Sequence, residues 1–317
     1  MVRIGYFLAG AEFGPEKLLR QARMAEEAGF EALWISDHYH PWNKEQGNSP
    51  FVWSVIGGLS QIVSLPITTA VTCPTVRIHP AIIAQAAATS AVMLGGRFAL
   101  GVGSGENLNE HVLGDRWPPA DVRLEMLEEA VEVMRLLWSG GVKDHHGKHY
   151  TVENARIWTM PEEAPPVLIS GFGPKAAELA GRVGDGYCGV DPSAELVSLF
   201  RESGGGEKPA HAGMKACWDE DETRARKTAH RLWPHEQLPG ELAQELPTTA
   251  HVEQATSLVT EEMVAEGFAC GPDPERHREV IQQYIDVGYD EVYVQQIGGN
   301  HEGFFRFYEK EVLPKFR

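Results

Sequence analysis

RIGYFLAGAEF, Arg3 to Phe13, decides which kind of α/β protein this chain makes. Arg3 to Leu8 is apolar and aromatic enough to be a buried strand. The following PEKLLRQARMAEEAGF, residues 15–30, puts Leu18, Ala22, Ala25 and Ala28 on one face at helical spacing. A strand feeding a helix suits either an open doubly wound sheet or a closed barrel. The open sheet of a dinucleotide-binding protein wants G-x-G-x-x-G at that first turn. Here the turn reads Leu8-Ala9-Gly10-Ala11-Glu12-Phe13, and the spacing is absent.

The same unit recurs along the chain. Strands are expected at 31–36, 66–74, 97–105, 165–171, 186–191, 211–219, 267–271 and 291–299, with helices at 79–94, 121–139 and 173–184. In the 121–139 helix, Leu127, Val131, Met134 and Trp138 recur at helical spacing. Residues 148–157 read as an excursion with its own short strand, and His145-His146 as a solvated turn. Repeated β-then-α units imply a parallel sheet covered by helices. Seven or eight of them in 317 residues fit a (β/α)₈ TIM barrel, read as one domain over 1–317. Residues 234–262, with Pro234, Pro239 and Pro247, look like an insertion.

Composition narrows the partners. Forty-five acids against 28 bases give a formal charge of −17, which argues against nucleic acid and anionic membranes. No 18-residue apolar run or leader-like N-terminus is present, and Cys73, Cys188, Cys217 and Cys270 lie far apart. These features predict a cytoplasmic protein with reduced thiols and no zinc site. No His-x₃-His or Glu-x-x-His pair with a nearby acid suggests a metal.

In a barrel, chemistry collects where strands end. That edge carries Glu12, then Asp37, His38 and Trp42 from SDHYHPW, then Ala70-Val71-Thr72-Cys73, then Ser104-Gly105-Glu106 with Asn109 beyond. Histidine as a residue type can take or give a proton near neutrality, which would suit His38 to proton transfer, although a loop histidine is the plainer reading. Glu106 is either a carboxylate acting on that imidazole or a helix-capping acid. Gly171-Phe172-Gly173 joins a strand to a helix, where free N–H groups and the helix dipole can hold a phosphate. The run from Gly101 to Gly105 lets a flat ring approach the backbone.

The blocks WISDHYHPW, AVTCPTVRIHPAIIAQAAAT, GRFALGVGSGENLNE and SGFGPKAAELAGRVGDGY resemble the bacterial luciferase-like superfamily. They are most similar to its branch using coenzyme F420, a deazaflavin, which includes glucose-6-phosphate and secondary alcohol dehydrogenases. The resemblance runs from the first strand to the last helix but is poor over 192–262. It implies hydride transfer at C5 of the deazaflavin, with His38, Glu106, Trp42 and Glu12 in catalytic positions. It also implies cofactor contacts from Asp37, Ala70, Val71, Cys73, Ser104, Gly105, Asn109, Gly171, Phe172 and Gly173. Ala70-Val71 matches a bulge with a non-prolyl cis peptide, and Cys73 stands where a threonine is common. Relatives are commonly dimers, so a homodimer is expected.

The resemblance implies that members holding glucose 6-phosphate use a lysine after strand 6, a lysine-histidine pair in the insertion and an arginine just before the GFACG-type strand. Here that strand ends in Val190-Asp191, and no lysine or arginine occurs from Leu232 to Glu275. A buried phosphate dianion without a cation is costly. The expected substrate is therefore a small uncharged alcohol or carbonyl compound. Two other readings remain: an FMN-dependent monooxygenase of the same superfamily, and a non-catalytic cofactor-binding barrel.

Overall fold

The structure is a computed structural model and describes residues 2–317. Eight parallel strands close into a ring: β1 (Arg3–Leu8), β2 (Leu33–Ile35), β3 (Ile67–Thr69), β4 (Phe98–Val102), β5 (Val167–Ser170), β6 (Gly186–Gly189), β7 (Ala210–Cys217) and β8 (Glu291–Gln296). Closure comes from β8, which pairs with β1 through Val294 and Tyr6 and with β7 through Val294 and Met214. On its other edge β7 meets β6, with His211 opposite Cys188. A (β/α)₈ barrel is therefore the architecture, as the first turn implied.

The ring is filled from within. Trp34 of β2 stacks on Tyr293 of β8 at 4.4 Å, and Phe7 of β1 meets Trp34 edge-on at 5.7 Å. Gly5 makes room for this plug, since a Cβ there would lie 2.4 Å from the Tyr293 ring. Outside the ring, Leu18, Ala22, Ala25 and Ala28 of the Pro15–Ala28 helix are all buried. That helix ends at Gly29, whose φ of 91° is the left-handed cap glycine favours. The buried face of Ala120–Trp138 is the expected one, and the Trp138 indole donates to the Ala84 carbonyl of helix Pro80–Met93 at 2.9 Å.

Three expectations need correction. The regular strand expected over 66–74 stops at Thr69; past it the Ala70–Val71 peptide is cis, and Thr72 returns to bridge Val102 of β4. Residues 267–271 supply only Ala269–Cys270, which pairs with the far end of β7 outside the closed ring. His145 is not in a solvated turn: Lys143–His146 pairs with Thr151–Ala155 as an antiparallel hairpin, and its Nε2 lies 3.2 Å from Glu129. The insertion is a run of short helices from Pro234–Gln237 to Glu261–Gly267. Among the described residues, no helix is long and apolar enough to cross a membrane.

Candidate active site

A cavity of about 700 Å³ opens at the C-terminal edge of the ring. Phe7 and Trp34, the top of the barrel plug, form part of its floor. Thirteen of the fourteen rim residues expected from sequence border it.

At its centre are His38, just past β2, and Glu106, just past β4. Their Nε2 and Oε2 atoms are 3.5 Å apart, and both side chains are mostly shielded from solvent. Glu106 occupies the N-cap position of Asn107–Glu110 but makes no capping bond, so its carboxylate is turned to the cavity. Asn109 joins the two loops. Its Oδ1 accepts the backbone N–H groups of Tyr39 and His40, each at 2.9 Å, and its Nδ2 donates to Glu106 Oε2 at 2.8 Å. The side chain read as a cofactor contact is thus also the clamp that sets His38 beside Glu106. Trp42 crosses His38 edge-on at 5.6 Å and stacks on His235 at 4.4 Å, closing one wall.

Asp37 is buried and engaged on both oxygens, by Thr72 Oγ1 at 2.9 Å and Arg77 at 3.0 Å. Arg77 also reaches Glu110 at 3.4 Å. Burial pushes the Glu110 carboxyl up to about 7, against the pull of Arg77. Cys73 rests its Sγ 2.9 Å from Thr75 Oγ1, and burial with the nearby Glu110 charge raises its thiol well above the usual range. It contributes bulk, not a thiolate.

The glycine segments behave as surfaces. A Cβ on Gly103 would lie 2.8 Å from Val71, and one on Gly105 would lie 2.5 Å from Cys73 Sγ, so only glycine keeps this wall flat. Gly105 also has φ +87°. Among the described residues, no backbone carbonyl accepts from the N–H groups of Ser104, Gly105, Phe172 or Gly173. The last two precede the ten-residue helix Pro174–Val183, whose N-terminal, positive dipole end therefore lies beside them. A flat ring against the Ala70–Val71 bulge and the Gly103–Gly105 wall, with an anionic arm at Gly171–Gly173, fits this donor set.

Glu12 is the exception. It does not border the cavity. Its two oxygens accept the Trp233 indole N–H and the Gly298 backbone N–H, the latter at 2.9 Å. Burial lifts its carboxyl to about 7, although both bonds act the other way. Glu12 therefore holds up Trp233, which does line the cavity.

Sequence reasoning missed His235, Glu236 and Lys215. Lys215 is buried on β7, 4.9 Å from the Trp233 ring centre and 5.5 Å from that of Phe7. It precedes the cation-free stretch Leu232 to Glu275, and alternation along β7 was the signal that could have placed it inward. It is not free: Glu236 of the insertion sits 3.0 Å from its Nζ. The other cationic side chains bordering the cavity are also paired, Arg123 with Glu245 at 2.9 Å and Lys175 with Asp121 at 2.7 Å. Among the described residues, no cluster of three or more His, Cys, Asp or Glu could hold a metal ion.

A closed parallel ring with its polar groups gathered at one edge is the plan of the α/β-barrel enzymes. The chain belongs to the luciferase-like monooxygenase family, whose profile matches residues 2–291. It is 34% identical to the F420-dependent glucose-6-phosphate dehydrogenase of Microbacterium testaceum, an alignment covering 100% of this chain and 98% of that protein. Its fold is similar to that of an F420-dependent secondary alcohol dehydrogenase solved with an F420–acetone adduct, with TM-score 0.94, 28% identity and coverage of 100% and 99%. It also superposes on the coenzyme F420-dependent tetrahydromethanopterin reductase of Methanopyrus kandleri with TM-score 0.81 and 23% identity, covering 100% and 99%.

Proposed function

We propose that this protein is a coenzyme F420-dependent oxidoreductase acting on a small uncharged alcohol or carbonyl substrate. The observation that carries the reading is the His38–Glu106 pair, 3.5 Å apart and facing the wall made by the cis Ala70–Val71 bulge. The deazaflavin would supply the hydride acceptor or donor. Ser104, Gly105, Phe172 and Gly173 would hold it through backbone N–H groups, with Ala70 and Val71 behind its ring. His38 Nε2 takes the proton of a substrate hydroxyl, or returns it in reduction, and Glu106 supplies the counter-charge while the imidazole holds that proton. Trp42 and Trp233 exclude water from the same space.

An uncharged substrate is favoured because every cation bordering the cavity already has a carboxylate partner. The glucose-6-phosphate activity in the names of the sequence relatives therefore does not carry over to this chain. Fluorescence titration with F420 and with FMN, followed by a panel of alcohols and ketones, tests the proposal. F420 binding with turnover of a neutral substrate is the expected result. Tight FMN binding without F420 affinity would favour the monooxygenase reading, and cofactor binding without turnover of any substrate the carrier reading. Glucose 6-phosphate turnover at micromolar KM would refute the substrate assignment.

A further inference from the structure

Lys215 is the cavity's one deeply buried ammonium among the described residues. It is flanked by the Phe7 and Trp233 rings, and Glu236 is the carboxylate within 4 Å of its Nζ. The two residues come from different parts of the chain. Lys215 belongs to the barrel strand β7, whereas Glu236 rides on the 3₁₀ turn Pro234–Gln237 of the insertion. That turn is fixed by its neighbours: the adjacent His235 is buried and stacked on Trp42. Asp191, just past β6, borders the same cavity, and burial and then the Glu236 charge hold its carboxyl above the usual range. An anion entering here meets two carboxylates around a lysine already in use.

We propose that Glu236 is a specificity-determining residue: it is an internal counter-ion that occupies Lys215 and thereby excludes phosphorylated substrates. The inference rests on the reading of this cavity as the substrate pocket, and it deepens that reading by assigning the choice of substrate charge to one side chain. Removing the Glu236 charge leaves a buried ammonium with no carboxylate within 4 Å, open to an anion from solution in competition with the more distant Asp191. The insertion, not the barrel, would then decide whether the barrel's lysine serves a phosphate or is silenced.

The test compares wild-type protein with Glu236→Gln, Lys215→Met and the double variant, all loaded with F420. Isothermal titration with glucose 6-phosphate, glucose and inorganic phosphate is the readout. Glu236→Gln should bind glucose 6-phosphate at least tenfold more tightly than wild type, with glucose unchanged, and Lys215→Met in the same chain should abolish the gain. Phosphate held at Gly171–Gly173 would not respond to Lys215→Met, so the difference between the single and double variants isolates the lysine. No gain in a folded Glu236→Gln protein, or a gain that survives Lys215→Met, overturns the proposal. So does wild-type protein that binds glucose 6-phosphate at micromolar Kd through Lys215. Glu236→Ser is the second variant, with the same expected gain, should Glu236→Gln not fold. A Lys215-dependent gain in protein that fails to bind F420 would sink the deazaflavin reading and leave the counter-ion in place. F420 binding without the gain would do the reverse.

Discussion

Asn109→Ala should damage both stability and catalysis, and the structure sets the size of each effect. The substitution removes the acceptor of two backbone N–H groups, Tyr39 and His40, and the donor to Glu106 Oε2. Each neutral bond is worth about 1 kcal/mol net and the one to the carboxylate about 1.5 kcal/mol, for a sum of about 3.5 kcal/mol. For a chain of this size that corresponds to a fall in Tm of roughly 5 °C. The catalytic loss comes from geometry: without the clamp, the loop after β2 no longer fixes His38 against Glu106. A misplacement of about 1 Å at such a site costs on the order of a hundredfold in kcat/KM. The assay is thermal unfolding with steady-state kinetics and a pH–rate profile. The isosteric Asn109→Asp separates the two effects, because it keeps the acceptor for Tyr39 and His40 but sets a second carboxylate against Glu106. It should lose stability through the Glu106 contact alone, with the Tyr39 and His40 bonds kept, and still lose rate, with the profile shifted to higher pH as the imidazolium is stabilised. Asn109→Ala with wild-type Tm and kcat/KM within twofold of wild type would refute the clamp.

Three other outcomes follow from the same geometry. His38→Ala should leave F420 affinity within about threefold while kcat falls by 10²–10⁴, partly restored by added imidazole; unchanged turnover removes His38 from the mechanism. Glu110 holds its proton to about pH 7 when folded, whereas the unfolded chain releases it near 4.5. Its contribution to stability is thus present below pH 4.5 and is lost as pH rises through 7, by up to about 3 kcal/mol; denaturant unfolding at pH 5 and pH 8 should show the loss, and Glu110→Gln should reduce it while leaving the share from Glu12, which burial raises to the same range. Gly105→Ala should weaken F420 binding by tenfold or more and lower Tm, because its φ of +87° and the 2.5 Å approach to Cys73 leave no room for a methyl group; unaltered binding would show that the flat wall is not needed.

The ring was legible from the order of its elements. Local periodicity marked each helix face, and buried strands between them were short and apolar, so a closed parallel sheet followed from covalent order and burial alone. The places of His38, Glu106, Trp42 and Asn109 were legible too, because each lies in the segment that follows a strand end and the barrel brings those segments to one edge. Two of the misreadings share a cause. Glu12 also follows a strand, but its carboxylate turns to Trp233 and Gly298, partners 221 and 286 residues away. Lys215 was passed over because a lysine inside a strand says nothing of what it faces. Whether a buried ammonium is a binding site or a neutralised pair depends on an oxygen 3.0 Å away, and here that oxygen comes from an insertion with no strand periodicity. Charge compensation falls off over a few ångströms, whereas sequence records only separation along the chain. The sequence by itself thus determined the barrel and which residues reach its rim, and only the tertiary structure decided which charges at that rim are already paired.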